Sequence, residues 1–210
     1  MSRGAQALQF GLLVLFTMYF VWWLRDPPYE LHAMIHVVPT WLAIAVLVAS
    51  IRCFPLSHTS FTLLVTFLAL HVLGTRYIYT YVPYDDWSLA VFGTSVSDTF
   101  GLERNHYDRF VHLAYGLLIA PAAREVKVRL GWVQGPWSYL AAIEFVLAAS
   151  LTFELLEWIG AVRLAPDFAD SYLGQQGDIW DAHKDMALAG IGATVGMTVA
   201  ACVALVRRPA

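Results

Sequence analysis

The chain has 210 residues, of which 59% are hydrophobic and 14% charged, with a mean hydropathy of +0.58. A soluble domain carries about 25% charged residues, and a soluble fold of this size has too little interior for so much apolar surface, so lipid must cover the excess. A formal net charge of −3 gives no basis for nucleic-acid binding, and the absence of P-loop, GxGxxG and GxSxG motifs argues against nucleotide and α/β-hydrolase chemistry.

A membrane span needs about 20 consecutive apolar residues, and the sequence predicts six such helices in one integral membrane domain, 1–210, of all-α class. The first is Gln6–Leu24, closed by Arg25, Asp26 and the Pro27-Pro28 pair. It is too long for a signal-peptide core, and no small-residue cleavage site follows it. The second is Leu31–Ile51, with Pro39 as an expected kink, and the third is Thr59–Tyr79. Arg109–Ala123, Trp137–Ile159 and Asp185–Val206 complete the set. The two long connections, Thr80–Asp108 and Gly160–Lys184, mix Pro, Gly, Asp and aromatics and read as ordered loops or interfacial pieces. Cys53 and Cys202 lie in or beside apolar runs without metal-ligand spacing and read as buried structural thiols.

The short, basic connections around Arg52 and Arg124–Arg129 and the Arg207-Arg208 tail predict that both termini are cytoplasmic. Seven tryptophans near the helix ends, Trp22, Trp23, Trp87, Trp132, Trp137, Trp158 and Trp180, fit an interfacial belt.

With six alternating spans, each polar residue is assigned to one face. His32 and His36, His71, Asp108 and His112, Glu154 and Glu157, and Asp178, Asp181, His183 and Asp185 all fall at the end opposite the termini. Ionisable groups within a bilayer are costly, so they pair, line water or mark function. Asp108 with His112, His32 with His36 and Asp181 with Asp185 have i, i+4 spacing, and Glu154 with Glu157 i, i+3; each pair shares one helix face.

Carboxylates and imidazoles on facing helices can hold a divalent metal, with His112, Glu154, Glu157 and Asp181 as the candidate ligands. The catalytic candidates are Asp108, His112, Glu154, Glu157 and Asp181, acting with a metal or as acid and base. Arg104 and Arg109 are candidate anion-binding residues, because guanidinium suits two-point contact with phosphate or carboxylate. The structural alternatives are that Asp108 caps its helix, that Glu154 and Glu157 pair with Arg104, Arg109 or Arg163, and that His32 and His36 line a packed interface. Gly190, Gly192 and Gly196 read as close-packing positions, the last two with GxxxG spacing.

Three segments are distinctive: Arg104-Asn105-His106-Tyr107-Asp108-Arg109-Phe110-Val111-His112, Phe153-Glu154-Leu155-Leu156-Glu157-Trp158, and Gly174 to Met186 with Gln176, Asp178 and Asp181. Together they resemble the YjdF-type family of bacterial inner-membrane proteins, a domain of unknown function, over most of the chain. The resemblance implies an inner-membrane location. It also implies a polar core of Arg104, Asn105, Asp108, Arg109, His112, Glu154, Glu157, Gln176, Asp178, Asp181 and Asp185, with His32, His36 and His183 outside the pattern. A more distant likeness is to VanZ-like membrane proteins of the cell envelope, whose Asp-Lys-x-x-His-Phe motif has Arg109 in the Lys place here, with Phe110 moved ahead of His112. Three readings stay open: a membrane enzyme acting on a lipid or envelope precursor, a solute- or proton-coupled binding or transport module, and a structural subunit whose charges fix helix packing.

Overall fold

The computed structural model describes residues 3–164 and 173–206. The Arg207-Arg208 tail and part of the Gly160–Lys184 connection lie outside the described residues, as do the side chains of Arg3 and His32. All regular structure among the described residues is helical: α1 (Arg3–Trp23), α2 (Glu30–Cys53), α3 (His58–Arg76), α4 (Tyr84–Phe92), α5 (Val96–Phe100), α6 (Tyr107–Arg129), α7 (Trp137–Leu164) and α8 (Asp181–Val206). Five of these, α1, α2, α3, α7 and α8, are long and apolar enough to cross a membrane, and the chain is a polytopic helical membrane bundle.

The sixth long helix, α6, has 23 residues but falls short of that apolarity, for a physical reason. It packs against α3, α7 and α8, so protein rather than lipid covers much of it, and its last turns carry Arg124, Glu125, Lys127 and Arg129. It nevertheless runs the length of α3. At one end the Tyr107 hydroxyl donates to the Leu70 carbonyl, 2.9 Å. At the other, Glu125 accepts from the Ser57 N–H (2.7 Å) and from the Ser57 and Ser60 hydroxyls (2.6 Å each).

The six long helices alternate in direction. Gln6 and Gln9 near the start of α1 donate to the carbonyls of Ile51, in the last turn of α2, and Leu56, just before α3, and Arg76 at the end of α3 donates to those of Trp23 and Arg25; α1 and α3 are parallel. Helices α6 and α8 are also parallel, at very close approach. A Cβ on Gly116 would sit 1.9 Å from the Ala189 carbonyl oxygen, and one on Gly192 2.1 Å from that of Leu113. Gly196 meets Leu117 in the same seam, whereas Gly190 faces Leu147 of α7. Small residues let helices approach in lipid, where dispersion and hydrogen bonds rather than water drive association.

The bundle has two halves. In one, α2 packs on α1 and α3; in the other, α7 packs on α6 and α8; α3 and α6 join them. The connection between α3 and α6 is not a plain loop, since it folds into α4 and α5, both ending at a left-handed glycine, Gly93 and Gly101. The thiols correct the sequence reading: Cys53 and Cys202 are both exposed on the outside of the bundle. In a membrane protein an apolar neighbourhood marks lipid-facing and core-facing positions alike.

Candidate functional site

The starts of α6 and α8 and the last turns of α7 meet at one end of the bundle, and of the predicted one-sided residues Asp108, His112, Glu154, Glu157, Asp178, Asp181 and Asp185 gather there. Asp108 is in the first turn of α6, but it does not cap the helix; the N-cap position is His106. Its carboxylate points instead along the helix face to His112, with 3.6 Å between Oδ1 and Nε2. Glu154 of α7 reaches the same nitrogen at 3.5 Å. Among the described residues, one carboxylate oxygen each from Asp108 and Asp185 and one His112 ring nitrogen lie within 4.8 Å of one another.

The arginines are engaged elsewhere. Arg104 donates to Asp181 Oδ1 at 2.7 Å and to the carbonyls of Gln175 and Gly174. Arg109 donates to the same Asp181 oxygen at 3.1 Å and is ion-paired to Asp178. Asp181 is 1% exposed, so one buried carboxylate takes two guanidinium groups. Among the described residues, the arginine pairing weighed for Glu154 and Glu157 does not occur.

Asn105 and Gln176 fix the loop that carries Arg104 to the loop before α8. The Asn105 N–H donates to Gln176 Oε1, and Gln176 Nε2 donates back to the Asn105 carbonyl, both at 2.9 Å. Gly174 holds φ +69°, and a Cβ there would fall 2.8 Å from Asp108 Oδ2. Only glycine meets both demands at this point.

Asp178 lies outside the spans. The Lys184 hydrogen bond, then the Trp180 N–H and Arg109, hold its carboxyl down at about 2. A carboxylate depressed in the fold adds stability that is complete above its ordinary value and is lost as pH falls from there through the folded value. Amide exchange in residues 173–180, corrected for intrinsic rate, is therefore expected to be unchanged between about pH 7 and about pH 5 and to quicken as pH falls from about 4 to about 2. In Lys184→Ala the carboxyl is less depressed, so exchange should be faster at about pH 7 and its further rise in acid smaller. A wild-type loop whose protection does not fall below about pH 4, or a variant with wild-type protection at about pH 7, would refute the clamp.

Beside the carboxylates lies a cavity of about 250 Å³ between the two halves. Its walls include Pro39 and Thr40 of α2, Phe67, Leu68 and His71 of α3, Asp108, His112 and Tyr115 of α6, and Ala149, Phe153 and Glu157 of α7. Tyr79, which the sequence reading did not place in the site, enters it from the turn after α3. Its hydroxyl shares a 2.5 Å hydrogen bond with His71 Nδ1, and the His71 ring stands edge-on to buried His36, 5.7 Å between centroids. Ile78 and Tyr79 both have φ near +50°, at 54° and 53°, a conformation rare for side chains of this kind. Gly74 makes room for the ring, since a Cβ there would meet it at 2.5 Å. Nothing in the run Tyr77-Ile78-Tyr79 marks that turn in sequence, because its cost is met by packing far from the turn. His183 and Glu144 stay exposed, away from the cluster.

A family model described as a predicted membrane protein family, DUF2238, matches residues 8–205. The chain belongs to this family. It is 35% identical over 161 residues to the inner membrane protein YjdF of Escherichia coli (strain K12), covering 76% of this chain and 73% of that protein. No solved structure matches. The chain is therefore a membrane protein homologous to a bacterial inner-membrane protein, and the VanZ-like likeness gains no support from these matches.

Proposed function

We propose that the chain is a membrane enzyme whose reaction centre holds a divalent cation between Asp108, His112 and Asp185, with Glu154 adjoining, and that it acts on a lipid or envelope precursor at one face of the inner membrane. One observation carries this reading. Among the described residues, buried polar atoms of His112 (Nδ1), Glu154 (Oε1), Asp181 (Oδ2) and Asp185 (Oδ1) have no hydrogen-bond partner, and the groups that bear them converge. Buried polar groups are almost always satisfied, and a cluster of exceptions calls for an ion, water or a chemical role.

Charge argues the same way. Asp108, Glu154, Glu157, Asp178, Asp181 and Asp185 outnumber Arg104, Arg109 and Lys184, and those cations are turned to Asp178 and Asp181. Protons or a cation must balance the rest. One imidazole with several carboxylates is a donor set for Zn²⁺ or Mn²⁺ rather than a thiolate-seeking metal. Such an ion supplies Lewis-acid polarisation of a carbonyl or phosphoryl oxygen. Glu157, on the cavity wall and outside the ion pairs, is placed to take or give a proton. The arginines, assigned to anions from sequence alone, serve here to fix Asp178 and Asp181.

The test is metal content and calorimetric titration of detergent-purified protein with Zn²⁺ and Mn²⁺, wild type beside Asp185→Asn and His112→Ala. One ion per chain is expected, with affinity reduced roughly 100-fold or more in each variant. Wild-type protein that takes up neither ion, or variants that bind as tightly, would leave the cluster as a proton-sharing network and end the metal reading.

A further inference from the structure

The cavity between the two halves has a graded lining. At the end near the carboxylates it presents Asp108, His112, Glu157, His71 and Tyr79; one to two turns deeper along the same helices it is mostly apolar, presenting Leu68, Phe67, Tyr115 and Ala149 beside the Ser150 hydroxyl. That order, polar toward one membrane face and apolar toward the middle, is the order of a bilayer leaflet read from head group to chain. The surroundings match. Pro39, exposed on α2, edges the cavity on one flank, and half-buried Phe153 and Glu157 edge it on α7. The outer faces beside this flank, Val38 and Leu42 on α2 and Leu151 and Leu155 on α7, are exposed apolar surface that the hydrocarbon of a membrane covers. Helices α2 and α7 each pack within their own half, and α3 with α6 makes the joint, so the flank between α2 and α7, both of which line the cavity, is not sealed by helix packing among the described residues.

We propose that this cavity is a binding site for one hydrocarbon chain of a membrane phospholipid, entered sideways from the bilayer between α2 and α7. The chain lies along Phe67, Leu68, Ala149 and Phe153, and the head group is brought to Asp108, His112 and Glu157. Its chemical consequence, and the approach of an anionic head group to these carboxylates, rest on the reading of that cluster as a cation-holding reaction centre, whereas the loading of the hydrocarbon chain on the apolar wall stands without a metal. An apolar pocket with a few convergent polar groups at one end is the general form of a site for such a ligand. Pro39 contributes to the opening: it removes one backbone donor in mid-helix, and the helix tolerates this where a neighbouring element or a cavity lies alongside.

The probe is phosphatidylglycerol with a diazirine at mid-chain, built into nanodiscs with the full-length protein and activated by light. Peptide mapping is expected to find label on Phe67, Leu68 and Phe153 in addition to outward residues such as Leu42 and Leu151. Leu68→Trp and Ala149→Trp fill the cavity from opposite walls, and in either variant that folds the cavity label is expected to fall to background while the outward label persists. Label confined to outward residues in the wild type, or cavity label surviving in a folded variant, overturns the proposal. Cavity label in a protein that binds no Zn²⁺ or Mn²⁺ keeps the lipid site and removes only the metal reading.

Discussion

Gly192→Ala is expected to destabilise the protein by about 3 kcal/mol or more, and Gly116→Ala by at least as much. Each added methyl would land on backbone: 2.1 Å from the Leu113 oxygen for Gly192, and 1.9 Å from the Ala189 oxygen and 2.6 Å from the Ala193 nitrogen for Gly116. Backbone in a packed helix cannot rotate away as a side chain can, so the whole α6–α8 pair must separate. Gly196→Ala, at 2.9 Å from the Leu117 oxygen, should cost less. Gly190→Ala meets only the tip of Leu147, 2.9 Å away, which another rotamer can clear. Gly11→Ala is the internal control. It has open space around it on α1, and alanine favours a helix over glycine by about 1 kcal/mol. Thermal unfolding in one detergent should rank Gly116 and Gly192 as the most damaging, then Gly196, then Gly190, with Gly11 unchanged or slightly more stable. A Gly192→Ala protein as stable as Gly11→Ala would refute the close-packed seam.

This seam also explains what could and could not be read from the sequence. Apolar runs predicted the five spans because each of those helices must face lipid somewhere. The same apolar reading found α6, but not its ends. Sequence placed it at Arg109–Ala123, whereas it runs from Tyr107 to Arg129, because its basic last turns leave the apolar pattern without leaving the helix. The gathering of acids and histidines at one end needed only helix count and spacing. The pairing of individual oxygens depended on more. Rotation of α6 and α8 about their axes is set by Gly116, Gly192 and Gly196, and that rotation brings Asp185 of α8 to Asp108 and His112 of α6 while turning one oxygen of Asp181 to the arginines. Arg104 sits on no helix at all; its reach to Asp181 depends on the reciprocal Asn105–Gln176 bonds across 71 residues of chain. Spacing along a helix carries no information about either.

Asp181→Ala is expected to cost about 3–5 kcal/mol, the usual penalty for removing one partner of a buried ion pair, because Arg104 and Arg109 would lose the buried anion they share and keep only the more exposed Asp178, 3.8 Å from Arg104. Both guanidinium groups now reach the same Oδ1, at 2.7 and 3.1 Å, and Arg104 is 11% exposed. Removing Arg104 as well takes away one of the uncompensated charges. The double variant Arg104→Gln with Asp181→Ala should therefore be more stable than the sum of the single losses allows, by roughly 1–3 kcal/mol in a double-mutant cycle. Strict additivity would mean that the pair is not a unit and that Asp181 acts mainly elsewhere. Metal titration of the same four proteins then separates the two halves of the cluster. If Asp108, His112 and Asp185 hold the ion, the folded double variant keeps its affinity within a few-fold, because the Asp181 oxygen on the arginines is not a ligand. If affinity instead collapses with Asp181 while Asp185→Asn leaves it intact, the ion is held on the Asp181 side, where its unpartnered Oδ2 lies buried near Gly174. Stability and metal binding would then depend on a single carboxylate, and Arg104 and Arg109 would be holding a ligand in place for the ion as well as bracing the fold.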